Sequence, residues 1–334
     1  MRFGLFGSAQ ARRGGPDVDS AQGFRDFIDY SVESEALGYY SGFTVEHHFT
    51  GVGQVSASLN LLTWIAARTS TLRVGTAVIV LPWHNPVLLA EQAATLDLLS
   101  GGRLDFGIGR GYRYNEFTGF RIPMSEADAR FEESLDVIMR AWTSDKPFSH
   151  RGRFWSFDNI VVEPPPAQKP HPPLWAGAGN PVSIRHAAEH GHNLLIDQFA
   201  SFDMIEERFR QYKETVEAFG RTFDPLSVAV TRSVHVSSDR VDTDAAIARR
   251  MVAQARVNAL ARRPDGTNTA SIMANAETRE ACEESAMYGS PEQIARKIER
   301  LRDMGVRYLL LNGGSNSAMN MRRVAKDLMP AFAD

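Results

Sequence analysis

The sequence predicts a single (β/α)8 TIM-like barrel with insertions, occupying residues 1–334 as one domain. Three observations support that expectation. Eight segments have strand character, helix-like signal follows each of them, and no shift in composition marks a second domain. A doubly wound sheet can be assembled from the same units, but eight of them without a second domain favour closure. In either arrangement the strands run parallel, and their C-terminal ends gather on the face where ligands bind.

Arg2–Gly7 reads as the first buried strand, with a helix over residues 21–37. Ser41–Val45 is the second strand, and Thr63–Ala67 lies in the helix after it. Leu72–Pro82 is the third strand, running into Trp83-His84-Asn85-Pro86. Asn85 is placed as N-cap with Pro86 at the first helical position, and Gly101-Gly102 closes that helix. Leu89, Ala93, Leu96 and Leu99 recur at spacings of four and three, which predicts one buried face. Arg103–Gly109 is the fourth strand. Ser125-x-x-Asp128 has the form of a capping box, ahead of a buried stripe of Phe131, Leu135, Ile138 and Trp142.

Phe148–Phe157, with Gly152 at its turn, is expected to be a small hairpin. Six prolines within residues 163–173 predict an extended connector. Leu174–Ala178, Asn193–Ile196 and Leu226–Val236 are the next three strands, with helices at 181–190, 202–219 and 243–260. Residues 262–289 are polar and aperiodic, so they are expected to form a mobile lid or a disordered loop. Ser290-Pro291-Glu292-Gln293 opens a helix with a full capping box, and Val306–Leu311 is the eighth strand.

Composition narrows the function classes. The chain is 43% hydrophobic and 23% charged, as ordinary globular proteins are. A net charge of −3 leaves no electrostatic footprint for nucleic acid. The pairs Arg249-Arg250, Arg262-Arg263 and Arg322-Arg323 read as solvated helix faces. Cys282 is the single cysteine, so neither an intrachain disulfide nor a cysteine zinc site is expected. The N-terminal apolar run is short for a signal peptide, and no run has the length of a membrane span. A cytoplasmic location is the simplest expectation.

Chemistry-bearing residues cluster where strands end. Adjacent residues on a strand point to opposite faces, so His47 and His48 in Glu46-His47-His48 are poor joint ligands for a metal, and no metal site is assigned. One of the two faces the cavity as a general base or hydrogen-bond donor, and the other packs outward or against Glu46. Gly107-x-Gly109-Arg110-Gly111 lacks dinucleotide-binding spacing, but its glycines allow a flat ligand to approach the backbone, with Arg110 able to grip a phosphate. Gly177-Ala178-Gly179-Asn180-Pro181-Val182-Ser183 is a second anion site. Asn180 is its cap, the Val182 and Ser183 amides are left free, and the Ser183 hydroxyl sits beside them. A phosphate cradle, small residues and a histidine in one mouth fit FMN.

These stretches resemble the bacterial luciferase-like flavin monooxygenases. Glu46–Thr50, Val74–Pro82 and Gly107–Gly111 are similar, in order and spacing, to the luciferase α subunit, and the likeness continues at Pro173–Gly191 and Ser290–Leu301. The resemblance implies a barrel binding FMN or a deazaflavin at its C-terminal face. It further implies that Arg110, Asn180 and Ser183 hold the FMN phosphate and that Ala77-Val78 forms a non-prolyl cis peptide against the isoalloxazine. Tyr112 and Gly177 would line the ring, and His47 would be the catalytic base. Two departures stand out: Gly109 replaces a cysteine and Gly179 a glutamate, which puts light emission and identical substrates in doubt.

A two-component monooxygenase is therefore expected, in which reduced FMN and O2 react through a flavin hydroperoxide to oxygenate a small organic substrate such as an aldehyde or ketone. One barrel and a lid account for the chain without an evident NAD(P)H-binding domain, so a separate NAD(P)H:flavin reductase would supply the reduced FMN. Trp83, His84 and Phe199 point to a small, partly apolar substrate. The resemblance also implies a homodimer through the second and third barrel helices. A deazaflavin (F420)-dependent dehydrogenase on the same barrel and a catalytically silent flavin-binding protein are the alternatives.

Overall fold

A computed structural model describes all residues except 52, 268–277, 314–316 and 334. The elements are β1 (Arg2–Gly7), α1 (Gln22–Ala36), β2 (Ser41–Thr44), α2 (Ser58–Arg68), β3 (Arg73–Thr76), β4 (Ile79–Val80), α3 (Pro86–Leu99) and β5 (Leu104–Gly109). They continue with α4 (Tyr114–Gly119), α5 (Ala127–Thr143), the hairpin β6 (Phe148–Arg151) and β7 (Ser156–Ile160), β8 (Leu174–Gly177), α6 (Pro181–Glu189), β9 (Asn193–Ile196) and α7 (Phe202–Ala218). The last third holds β10 (Val228–Val236), α8 (Arg240–Ala261), α9 (Arg279–Ser285), β11 (Met287–Gly289), α10 (Pro291–Asp303), β12 (Tyr308–Asn312) and α11 (Ala318–Asp327).

Parallel pairing runs β1-β2-β3-β5-β8-β9-β10-β12 and returns to β1, so the barrel is closed. Phe43, Trp175, Leu195, Ala229, Tyr308 and Leu310 fill its inside. The close fit shows at Gly75, where an added Cβ would fall 2.4 Å from the Phe43 ring. At the N-terminal end Arg73 grips Asp105 with two 2.8 Å hydrogen bonds, and the Ser41 and Tyr308 hydroxyls, from the strands on either side of β1, meet over it. That end is sealed by packing and charge pairing, so the open end is the one where the chemistry-bearing residues gather.

Local signals explain most of the boundaries. Oδ1 of Asn85 accepts the Val87 and Leu88 amides, and Ser290 and Gln293 form the capping box expected for α10. The buried stripe of α5 is as expected, but Ser125 does not cap it. Ser125 sits in a 3-10 turn, and α5 starts at Ala127 without a side-chain cap. Leu99 is 66% exposed, because α3 rotates it away from the barrel. The expected third strand is split: β3 and β4 flank the Ala77-Val78 bond, which is cis.

Two further expectations are corrected. Arg250 is buried rather than solvated, since it reaches inward from α8 to the Gln198 carbonyl and Ser285. Residues 262–289, read as aperiodic, contain α9 and β11, the latter extending the upper half of β10 through Val234–Met287 pairing. Those elements are too short for periodicity to reveal. Within that expected lid, residues 268–277 lie outside the described residues. Among the described residues no helix is long and apolar enough to cross a membrane.

Candidate active site

The β2 end turns directly into the site. His47 is fixed by its backbone, whose amide donates to the Val55 carbonyl at 3.0 Å, and by its ring, whose Nδ1–H donates to Oε1 of Glu116 at 3.1 Å. The same oxygen accepts the His48 amide at 2.8 Å. A carboxylate only accepts, so the proton sits on Nδ1 and the Nε2 lone pair is free for chemistry. Burial pushes the His47 pKa down, the Glu116 hydrogen bond opposes that, and the Arg113 charge adds to the lowering. The ring is therefore neutral near pH 7, as a general base must be.

His48 takes the other role expected for one of the pair, packing against Glu46. Oε1 of Glu46 accepts Nε2–H of His48 at 3.0 Å and of His84 at 2.6 Å, while Oε2 accepts the Val80 amide at 2.7 Å. Burial raises the Glu46 carboxyl, but these donors outweigh it and hold the pKa down at about 2. Glu46 thus ties the end of β2 to the segment that follows the cis bond. Among the described residues no cluster of ligating side chains could hold a metal ion.

The Ala77-Val78 unit forms the floor of the mouth beside this brace. The Ala77 amide donates to the Thr44 carbonyl at 2.8 Å, and both residues pack on the apolar barrel interior. Val78 lies over two glycines: a Cβ on Gly109 would fall 2.5 Å from its Cγ2, and one on Gly177 would fall 3.2 Å from its Cγ1. Small residues at the ends of β5 and β8 therefore let a flat, mostly apolar surface form.

Arg110 and Asn180 follow β5 and β8, which are neighbours in the barrel. Arg110 is paired with Asp128, and both side chains are largely exposed, at 42% and 75%, so the pair is readily exchanged for another anion. At the start of α6 the expectation of a free Ser183 amide and hydroxyl needs correction. Oδ1 of Asn180 accepts the Ser183 amide at 2.9 Å, and the Ser183 hydroxyl donates to the Asn180 carbonyl at 3.0 Å. A reciprocal capping box thus occupies the Ser183 groups that had been expected to face an anion. The Asn180 Nδ2 donors and Arg110 remain available to a phosphate. Tyr112 is half-buried, with the Arg113 guanidinium 5.7 Å from its ring.

The structure thus brings His47, Ala77, Val78, Arg110, Tyr112, Gly177, Asn180 and Ser183 to one face, at the ends of β2, β3, β5 and β8. Sequence reasoning missed Glu116, which α4 carries, and Arg113, the residue just before that helix. A six-residue helix shows no periodicity, and the only available signal was an acid beside an aromatic just after the glycine-arginine turn. A flat floor, a neutral histidine and exchangeable anion partners fit a planar phosphorylated ring such as FMN.

A closed parallel barrel with a half-buried histidine, an exposed arginine and glycines gathered at its C-terminal mouth has the architecture of the barrel enzymes, and comparison with known proteins gives its family. Residues 1–308 match the luciferase-like monooxygenase family profile, and the chain belongs to that family. It is 28% identical over 249 residues to the oxygenase component of the flavin-dependent trigonelline monooxygenase of Acinetobacter baylyi, covering 74% of this chain and 68% of that protein. It is 26% identical over 305 residues to the FMNH2-dependent dimethylsulfone monooxygenase of Pseudomonas putida, covering 85% of this chain and 82% of that protein. It is also 25% identical to an F420-dependent glucose-6-phosphate dehydrogenase of Amycolatopsis mediterranei, over 92% of this chain and 94% of that protein. The chain spans about half the length of some curated relatives it matches, 55% in two cases. Among solved structures, monooxygenase RslO1 of Streptomyces bottropensis superposes over 100% of both chains with a TM-score of 0.82 and 27% identity.

Proposed function

We propose that this chain is the oxygenase component of a two-component, FMN-dependent monooxygenase acting on a small organic substrate. The observation that carries the reading is the neutral His47, held by Glu116 with Nε2 free, beside a flat floor made by Ala77-Val78 over Gly109 and Gly177. Reduced FMN, when bound, supplies the electrons that activate O2. The protein's residues do the rest. Val78, Gly177 and Tyr112 bound the ring. Arg110 exchanges Asp128 for the phosphate, Asn180 donates to it, and Ser183 keeps Asn180 in its rotamer. His47 removes or holds a proton at Nε2.

A separate NAD(P)H:flavin reductase provides the reduced cofactor in this reading, which places the protein in the cytoplasm where NAD(P)H is made. Trp64, Leu88 and Leu99 stand 62%, 53% and 66% exposed on α2 and α3, an apolar face that supports a homodimer through those helices. The F420-dependent dehydrogenase remains the second reading, supported by the relative that aligns over nearly the whole chain. His47 serves it equally well, because taking hydride from an alcohol requires a base for the hydroxyl proton.

Anaerobic titration with photoreduced FMN, followed by mixing with oxygenated buffer, decides between them. Tight binding and slowed reoxidation support the monooxygenase. Weak binding with immediate reoxidation, alongside tight F420 binding, supports the dehydrogenase. In the silent-binder alternative His47→Ala changes nothing, whereas a general base there costs about 10²–10⁴ in turnover with flavin still bound.

A further inference from the structure

One wall of the mouth is aromatic. The segment after β2 carries His48 and Phe49, the turn after β4 carries Trp83, and α4 and its C-terminal end carry Phe117 and Phe120. Ring centroids lie 4.9 Å apart for Phe49–Phe120, 4.8 Å for His48–Phe120, 5.3 Å for Trp83–Phe120 and 5.6 Å for Trp83–Phe117. Phe49 is the unusual member. It is 56% exposed, and its φ of 58° is one that a bulky side chain rarely adopts. Gly119 supports it from behind, since a Cβ there would fall 2.3 Å from the ring. A backbone of this conformation holds a ring that packs on Phe120 with its other face open to solvent, and such outliers collect at ligand clamps.

Beside this wall are donors without acceptors. Trp83 Nε1 and the Nε and Nη1 of Arg113 are buried and lack a hydrogen-bond partner among the described residues. Arg113 is only 5% exposed, and its Nη1 lies 3.9 Å from Oε1 of Glu116, beyond hydrogen-bond range. Buried donors are ordinarily satisfied, so an arginine in this state three residues before Glu116, the His47 partner, lacks an acceptor that a ligand could bring.

From this juxtaposition we propose that the mouth receives a planar aromatic compound bearing an anionic oxygen substituent, a carboxylate or phenolate. Its ring packs on Phe49 and Phe120, and its anionic oxygen takes the free donors of Arg113. The inference rests on the reading of the mouth as a substrate site. It adds a substrate class to that reading and makes Arg113 and Phe49 the residues that select it. An aliphatic aldehyde or ketone has neither the flat face nor the charge.

Calorimetric titration of the full chain with benzoate, cyclohexanecarboxylate and benzyl alcohol tests both features. Benzoate binds about threefold to tenfold tighter than cyclohexanecarboxylate through its ring, and about tenfold to a hundredfold tighter than benzyl alcohol through its charge. Phe49→Leu abolishes the first preference and Arg113→Met the second. Arg113→Lys, which keeps the charge but loses the fork, weakens the second and serves if the methionine variant does not fold. Equal binding of benzoate and cyclohexanecarboxylate overturns the proposal, as does an Arg113→Met variant that folds and keeps the charge preference. Reduced FMN titrated into the same preparation separates the two levels. Flavin binding without discrimination among the probes sinks this inference alone, and discrimination without flavin binding sinks the reading of the cofactor.

Discussion

Replacing Glu116 with Gln removes one negative charge and little else. Oε1 of Glu116 accepts both the His47 Nδ1–H and the His48 amide, and the amide oxygen of a glutamine can accept both in the same place. What changes is the strength of the hold on His47. A charge-assisted hydrogen bond is about twice as strong as a neutral one, so about 1–1.5 kcal/mol of the interaction with an imidazolium is lost. At about 1.4 kcal/mol per decade, kcat/KM at neutral pH falls about tenfold. The sign of the pH effect follows from the causes already named. Glu116 raises the His47 pKa against burial and Arg113, so its removal lowers that pKa further. The acidic limb of the kcat/KM profile, where the base becomes protonated, therefore moves to lower pH while the plateau drops. The assay is steady-state turnover across pH, with the His47 ring resonance titrated by NMR in the flavin-free protein. A plateau that drops while the limb and the resonance stay in place would refute the argument, because damage to the fold alone behaves that way.

Three other outcomes are expected. Gly109→Ala forces Val78 off the floor and weakens FMN binding by about tenfold or more, measured by quenching of flavin fluorescence. Gly42→Ala, whose Cβ meets only Leu72 at 3.8 Å, leaves that binding unchanged. His192 is driven down to a pKa of about 3 by burial and by the charges of His190, His186, His171 and Arg221. The folded state then resists a proton that the unfolded state takes up, so stability is whole above about pH 6.5 and declines as pH falls toward 3, by up to about 5 kcal/mol. Urea melts of the wild type and His192→Asn, compared at pH 7 and pH 4.5, should show a smaller loss in the variant. Paired Trp64→Glu and Leu99→Glu substitutions yield a monomer on sedimentation if α2 and α3 form the dimer contact, and an unchanged sedimentation coefficient removes that contact from consideration.

The barrel was legible because its signals are long and repeated. Each strand reads as a buried apolar run, and the caps at Asn85, Asn180 and Ser290 announce helices before their periodicity does. Most of the mouth was legible too, since strand ends in a parallel fold share one face by construction. Elements shorter than two helical turns were not: α4, α9 and β11 carry no periodic signal, and with α4 went Glu116 and, at its N-cap, Arg113. Leu99 failed for a different reason. Apolar spacing cannot separate a residue facing the barrel from one facing a second subunit. Arg250 shows the same limit for charge, because nothing local tells a solvated arginine from one threaded through the interior.

The ion pair of Arg73 and Asp105 has a consequence for traffic. With that stopper, the Ser41–Tyr308 contact over β1 and the apolar side chains packed inside, the barrel is a vessel whose opening is the mouth. On the proposed function, flavin, oxygen, substrate and product would all share that one door. Whatever lies deepest goes in first and comes out last, so the order of arrival is set by depth rather than by affinity. On the proposed function, a flavin held on the Val78 floor would be exchanged only after product above it had left, and turnover at saturating substrate would be paced by departure through a shared doorway.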